Sequence, residues 1–202
     1  MATTTEITLL KIKSAFGNPY ALYGLGHNYL FGIGVPCDIQ KAYQLIEKAR
    51  KRGLEEAESC IKSTFEIRDD GSVALAPDYE NIYEPVKQMT LAAENGDPFA
   101  QWMRGHVKFD EGTSDYMYQR GLYWVKKAVK QDFPMALYSL AVEYIKEKRI
   151  KGKRDEGIEL MKKAARLGAM PAIKFVAHFF FSSEVIPLLE KKVDEGDAEA
   201  MG

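Results

Sequence analysis

The chain has 202 residues, 46% of them hydrophobic and 28% charged, and a formal net charge of −1. That apolar share is enough for a packed core and excludes a disordered chain, while the charge balance excludes the strongly basic footprint of a nucleic-acid binder. Two cysteines, Cys37 and Cys60, are too few to staple a secreted scaffold, and neither has a Cys or His partner at metal-ligand spacing.

In chain order, the opening residues 1–7 show no basic segment followed by an apolar run, and nowhere does the chain hold the ~18 consecutive apolar residues of a membrane span. The expectation is a protein of the cytoplasm. Apolar residues then recur at helical spacing. They predict helices over 4–16, 19–31, 38–52, 54–66, 79–95, 98–110, 115–131, 134–147, 153–167, 170–182 and 183–195. Only Ser72 to Pro77 has the composition of an extended segment.

These helices fall into a repeat. Ala21, Ala57, Ala100, Ala136 and Ala172 occupy matching contexts; the intervals 21 to 57, 100 to 136 and 136 to 172 are each 36 residues, and the interval 57 to 100 is 43, one period plus seven. Four residues before these alanines, and before Ala200, stand Gly17, Gly53, Gly96, Asp132, Gly168 and Gly196. Glycine, or an aspartate that tolerates a left-handed backbone, is what ends a helix sharply. Pro19, Pro98, Pro134 and Pro171 follow, suited to the first turn of the next helix. Small residues at Gly26, Gly105, Ala141 and Ala177 allow the paired helices to approach closely. Neither helix of a pair buries its apolar stripe alone, so stacking is required. The expected organisation is one array over 1–202: a lone helix 4–16, then repeats 19–53, 54–96 with an inserted loop 67–78, 98–132, 134–168 and 170–196.

Residues 21–57, ALYGLGHNYLFGIGVPCDIQKAYQLIEKARKRGLEEA, resemble a Sel1-like repeat: Ala21, Leu25-Gly26, Tyr29, Gly32-Ile33-Gly34-Val35, Asp38, Lys41-Ala42, Lys48-Ala49, Gly53 and Ala57 follow that pattern. The later copies are degenerate. One keeps Gly105, Lys127-Ala128 and Ala136 but has Glu111-Gly112 at the inter-helix turn; the next keeps Leu140, Tyr144, Lys163-Ala164 and Gly168. The resemblance implies an all-α fold, a right-handed α-solenoid of antiparallel helix pairs similar to tetratricopeptide arrays, acting as a non-enzymatic adaptor for a protein or peptide, with no cofactor. It also implies that the first helix of each pair lines a concave groove. The groove positions are then Tyr23, Ser59, Trp102, Tyr138 and Lys174; His27, Ser63, His106, Val142 and His178; and Leu30, Glu66, Phe109, Ile145 and Phe181.

Within these rows the candidate partner-binding residues are Tyr23, His27, Trp102, His106, Phe109, Tyr138, His178 and Phe181. Aromatic side chains are the usual anchors of an interface. The competing reading is that several pack between repeats. The histidines are two repeats apart, about 20 Å at the helix-packing distance, which is too far for one metal ion. The loop from Arg68 to Tyr79 is either a partner contact or ornament; it lacks the ligands of a calcium loop. No GxSxG, HExxH or GxxxxGK[ST] motif occurs. The basic runs 48–52 and 146–154 read as solvated faces, or as a patch for phosphate or an acidic partner. An alternative function is that of an immunity-type protein that blocks one toxin or effector enzyme. A secreted peptidoglycan or β-lactam hydrolase is disfavoured by the lack of regularly paired cysteines.

Overall fold

The structure, a computed structural model, describes residues 4–109 and 113–180. Phe181, the expected helix 183–195, and Glu111-Gly112 lie outside the described residues. The chain divides into two compact units, Met1–Gly96 and Asp97–Gly202.

The first unit contains α1 (Thr4–Ala15), α2 (Pro19–Phe31), α3 (Ile39–Arg50), α4 (Glu55–Thr64), β1 (Phe65–Ile67), β2 (Val73–Leu75) and α5 (Pro77–Glu94). Helix α2 opens on Pro19, with the Asn18 side chain accepting the Ala21 amide at 2.9 Å. It closes on Gly32, whose φ of 71° is the left-handed turn expected there. Asp38 caps α3 in the same way by accepting from the Lys41 amide at 2.8 Å. Ala21, Leu22, Leu25 and Leu30 of α2 and Ala42, Ile46 and Ala49 of α3 are buried. Helix α1 packs on α2, and α4 on α3.

The segment after α4 departs from the sequence reading. A helix was expected to run to residue 66, but α4 ends at Thr64 and Phe65 begins a strand that pairs antiparallel with β2 in the register Phe65↔Leu75, Ile67↔Val73. Phe65 is buried edge-on against Tyr43 of α3, with ring centroids 5.5 Å apart. The Val73 amide donates to Gln40 of α3 at 3.1 Å. Packing against α3 overrides the helical pattern. Glu66 therefore lies on a strand and not on a groove-facing helix. The expected loop 67–78 comprises the end of β1, the turn, β2 and the start of α5 at Pro77, with the turn closed at Asp70, which accepts the Ser72 amide at 2.9 Å.

The second unit contains α6 (Pro98–His106), α7 (Asp115–Val129), α8 (Pro134–Lys146), α9 (Arg154–Arg166) and α10 (Met170–Phe180). Helix α6 stops at His106, short of the expected 110. Asp132 takes a φ of 55° where other copies have glycine, and its carboxylate meets Lys163. The helix pairs share one construction. A Cβ added at Gly26 would lie 3.1 Å from the Ala42 carbonyl oxygen, one at Gly105 2.6 Å from that of Gly121, and one at Gly157 3.0 Å from that of Ala141. These partners are 16 residues apart in every case (26 to 42, 105 to 121, 141 to 157). Small residues thus face each other across α2/α3, α6/α7 and α8/α9, and the backbones nearly touch. Among the described residues no helix is long and apolar enough to cross a membrane.

Candidate functional site

In the first unit Tyr23 and Leu30 of the expected groove rows are buried, His27 is half-buried, and Ser59 and Ser63 are exposed. Tyr23 is only 5% exposed and meets His27 edge-on at 4.5 Å; His27 stacks on Phe31 at 6.0 Å, and Phe31 on Tyr83 of α5 at 6.1 Å. The Tyr83 hydroxyl donates to the Leu30 carbonyl at 2.6 Å. The Cys37 thiol donates to the same carbonyl at 3.3 Å and lies 3.4 Å from the Tyr83 oxygen. Tyr79 is 6.3 Å from Tyr83, centroid to centroid. Tyr23 therefore offers no open surface, and the expectation that it does is corrected. Tyr23 is hydrogen-bonded to Cys60 of α4, while α5 packs on the end of α2 at Leu30 and Phe31.

The environment of these groups sets their chemistry. Burial pushes the Cys60 thiol above its ordinary value. Burial, and to a lesser degree Cys60, pushes the Tyr79 phenol up to about 12. Tyr83 is raised by burial first and then by Cys37. Because the thiolate is the reactive form, Cys60 should be inert while exposed Cys37 reacts. A chromogenic disulfide reagent at neutral pH is expected to label one thiol quickly and the second only after denaturant is added. Two equally fast thiols would refute the burial of Cys60.

The second unit carries a half-exposed group of aromatic side chains. Phe99 is 47% exposed. Its ring lies 5.8 Å from Trp102 and 6.3 Å from Phe133, and Trp102 lies 5.9 Å from Phe133. Trp102 stacks on His106 at 4.4 Å with planes 16° apart, and its indole N–H donates to the Ser139 hydroxyl of α8 at 2.9 Å. Tyr138, beside Ser139, is half-buried. Three candidates, Trp102, His106 and Tyr138, thus belong to neighbouring helices α6 and α8 of this unit. Phe109 is half-buried and lies 5.5 Å from buried Tyr118, against the same core cluster on which Trp102 and Phe133 pack. His178 is exposed on α10, edge-on to Phe179 at 4.8 Å.

Sequence reasoning missed Phe99 and Phe133 because neither occupies a groove row. Their signal is positional: Phe99 follows Pro98 and Phe133 precedes Pro134, so each flanks a helix start. It also missed Tyr79 and Tyr83, which only the long-range packing of α5 places. Among the described residues no three His, Cys, Asp or Glu side chains are grouped to hold a metal ion.

No curated protein matches the chain. Among solved structures it is similar to a Sel1 repeat protein from Oxalobacter formigenes (21% identity, 99% of this chain and 58% of that one, TM-score 0.46). It is also similar to a protective antigen of uropathogenic Escherichia coli with an SLR fold (20%, 96% and 42%, 0.44) and to an immunity protein from Pseudomonas aeruginosa (16%, 90% and 66%, 0.38). The chain spans less than two thirds of the length of each. The family model of the Sel1 repeat matches residues 19–54, 98–133 and 134–168, which contain the three close-packed pairs α2/α3, α6/α7 and α8/α9. With more than half of its length matched, the chain belongs to the Sel1 repeat family and has that family's all-α solenoid fold of paired helices.

Proposed function

We propose that the protein is a non-enzymatic interaction module that takes a protein or peptide partner on the aromatic face formed by Phe99, Trp102, His106, Phe133 and Tyr138. The observation that carries this reading is the half-buried, hydrogen-bonded Trp102. Its ring lies between Phe99 and His106 and is fixed by Ser139. An aromatic group already held in one rotamer costs little entropy on binding, which is what a hot spot needs. Membership of a family of helical repeats supports the same reading.

Capture of partners by the tagged protein, followed by mass spectrometry and calorimetry, tests it. Trp102→Ala combined with Tyr138→Ala is expected to weaken the captured partner at least tenfold while helicity is retained. Unchanged affinity would sink the aromatic-face reading. A single stoichiometric enzyme that loses activity on binding would make the module an immunity-type inhibitor; several unrelated proteins would make it an adaptor.

A further inference from the structure

A cleft of about 660 Å³ lies in the first unit between α1, α2 and α3. Its size is within the range of small-molecule sites. Leu22 and Leu25 of α2, Leu45 of α3 and Ala15 of α1 supply apolar lining. Lys11, Lys41, Lys48 and Arg52 supply four cationic groups, and Ser14 and Tyr29 supply hydroxyls; no carboxylate lines it. The molecule as a whole carries a net charge of −1, so this clustering is local and not a reflection of a basic protein.

Two of the cations are positioned by the protein itself. The Lys41 ammonium lies 4.4 Å from the centre of the Tyr29 ring. The Arg52 guanidinium lies against Gly17, where an added Cβ would come within 2.8 Å of it. Among the described residues none of the four forms an ion pair. Elsewhere in the same unit Arg50, Lys51, Lys62 and Lys87 are each paired with a glutamate, whereas Lys13 and Arg68 form no ion pair among the described residues. Asp38 acts on Lys41 from nearby, and an anion bound among the four cations would be attracted by each of them.

We infer that this cleft is a binding site for a small amphiphilic organic anion, its apolar part against Leu22, Leu25 and Leu45 and its phosphate or carboxylate among Lys11, Lys41, Lys48 and Arg52. The site is separate from the aromatic face of the second unit. Its ligand has both an apolar and a charged part because the cleft has both, which distinguishes it from a solvated basic surface. Binding among exposed cations weakens as salt rises.

Nuclear magnetic resonance titration of the full chain tests this, with octyl phosphate and octanoate as probes and with inorganic phosphate and octanol as controls. Saturable shifts confined to the lining residues are expected for at least one of the two amphiphilic anions, with an apparent Kd below about 1 mM, an ordinary affinity for a weak site. The stronger of the two identifies the headgroup. Inorganic phosphate and octanol should each bind at least tenfold more weakly. Lys11→Glu with Lys48→Glu should reduce affinity at least tenfold; both side chains are exposed, so the fold is kept, which the rest of the spectrum verifies. The proposal is overturned if neither anion gives saturable shifts, if octanol or inorganic phosphate binds as well as they do, or if the double charge reversal leaves affinity unchanged.

Discussion

Gly105→Ala is expected to destabilise the second unit by roughly 1–3 kcal/mol, the range for overpacking a filled contact. The new methyl would sit 2.6 Å from the Gly121 carbonyl oxygen, 2.7 Å from the Val125 Cγ2 and 2.9 Å from the Val125 amide nitrogen. Two of those three are backbone atoms and cannot rotate away, so α6 and α7 must move apart. The contact is reciprocal, since a methyl at Gly121 would sit 2.7 Å from the Gly105 carbonyl oxygen. The sign is not obvious beforehand, because replacing glycine by alanine inside a helix gains about 1 kcal/mol of propensity. Gly24→Ala isolates that gain. Its methyl would meet only Leu10 Cδ2 at 3.5 Å, an ordinary contact. Urea unfolding followed by circular dichroism should therefore shift to a higher midpoint for Gly24→Ala and a lower one for Gly105→Ala. A raised midpoint for Gly105→Ala would mean that the two helices are not held this close.

The repeat was legible because its signals are local. Asn18 and Asp38 cap helices, Gly32 reverses the chain, and Gly105 sets an inter-helix distance, each acting within one helix pair. Most helix ends follow from the alanine and glycine marks to within two residues. What was not legible depends on contacts far along the chain. Phe65 reads as the continuation of a helix until Tyr43 of α3 is seen beside it. Tyr23 reads as a surface residue because position within a repeat says only which side faces the partner helix. Nothing in the 36-residue period announces that α5 will pack on the end of α2 and bring Tyr83 against Leu30 and Phe31. The aromatic candidates split for the same reason: Trp102, His106 and Tyr138 are half-exposed, whereas Tyr23 is buried within its own unit. The cationic cleft was half legible. The basic run 48–52 was visible, but Lys11 and Lys41 join Lys48 and Arg52 only once α1 and α3 have packed on α2.

Tyr118→Ala should cost about 3–5 kcal/mol, the loss expected for deleting a fully buried aromatic ring. Tyr118 is 1% exposed at the centre of a cluster with Leu122, Val125, Ala128, Ala136, Leu140 and Tyr144, with Phe109 against it. One side chain thereby joins α7 to α8, so its removal should loosen the framework that carries Trp102 and Tyr138. Tyr118→Phe separates packing from polarity. It keeps the ring but removes the hydroxyl that donates to Glu143 at 2.9 Å, and should cost about 1 kcal/mol. Arg149, 4.6 Å above the ring centre and donating to the Thr113 carbonyl at 2.6 Å, still has its face to rest on in that variant. The pair also predicts a pH dependence. Burial first, and then the hydrogen bond to Glu143, holds the Tyr118 phenol above its ordinary value of 10.0. A group raised in the folded state contributes stability that is present below the unfolded value and lost as pH rises through the folded one. Wild-type protein should therefore lose stability as pH is raised above about 10, and Tyr118→Phe should lose less over the same range. If the two stability curves run parallel from pH 8 to the alkaline limit, Tyr118 is not a buried, protonated phenol.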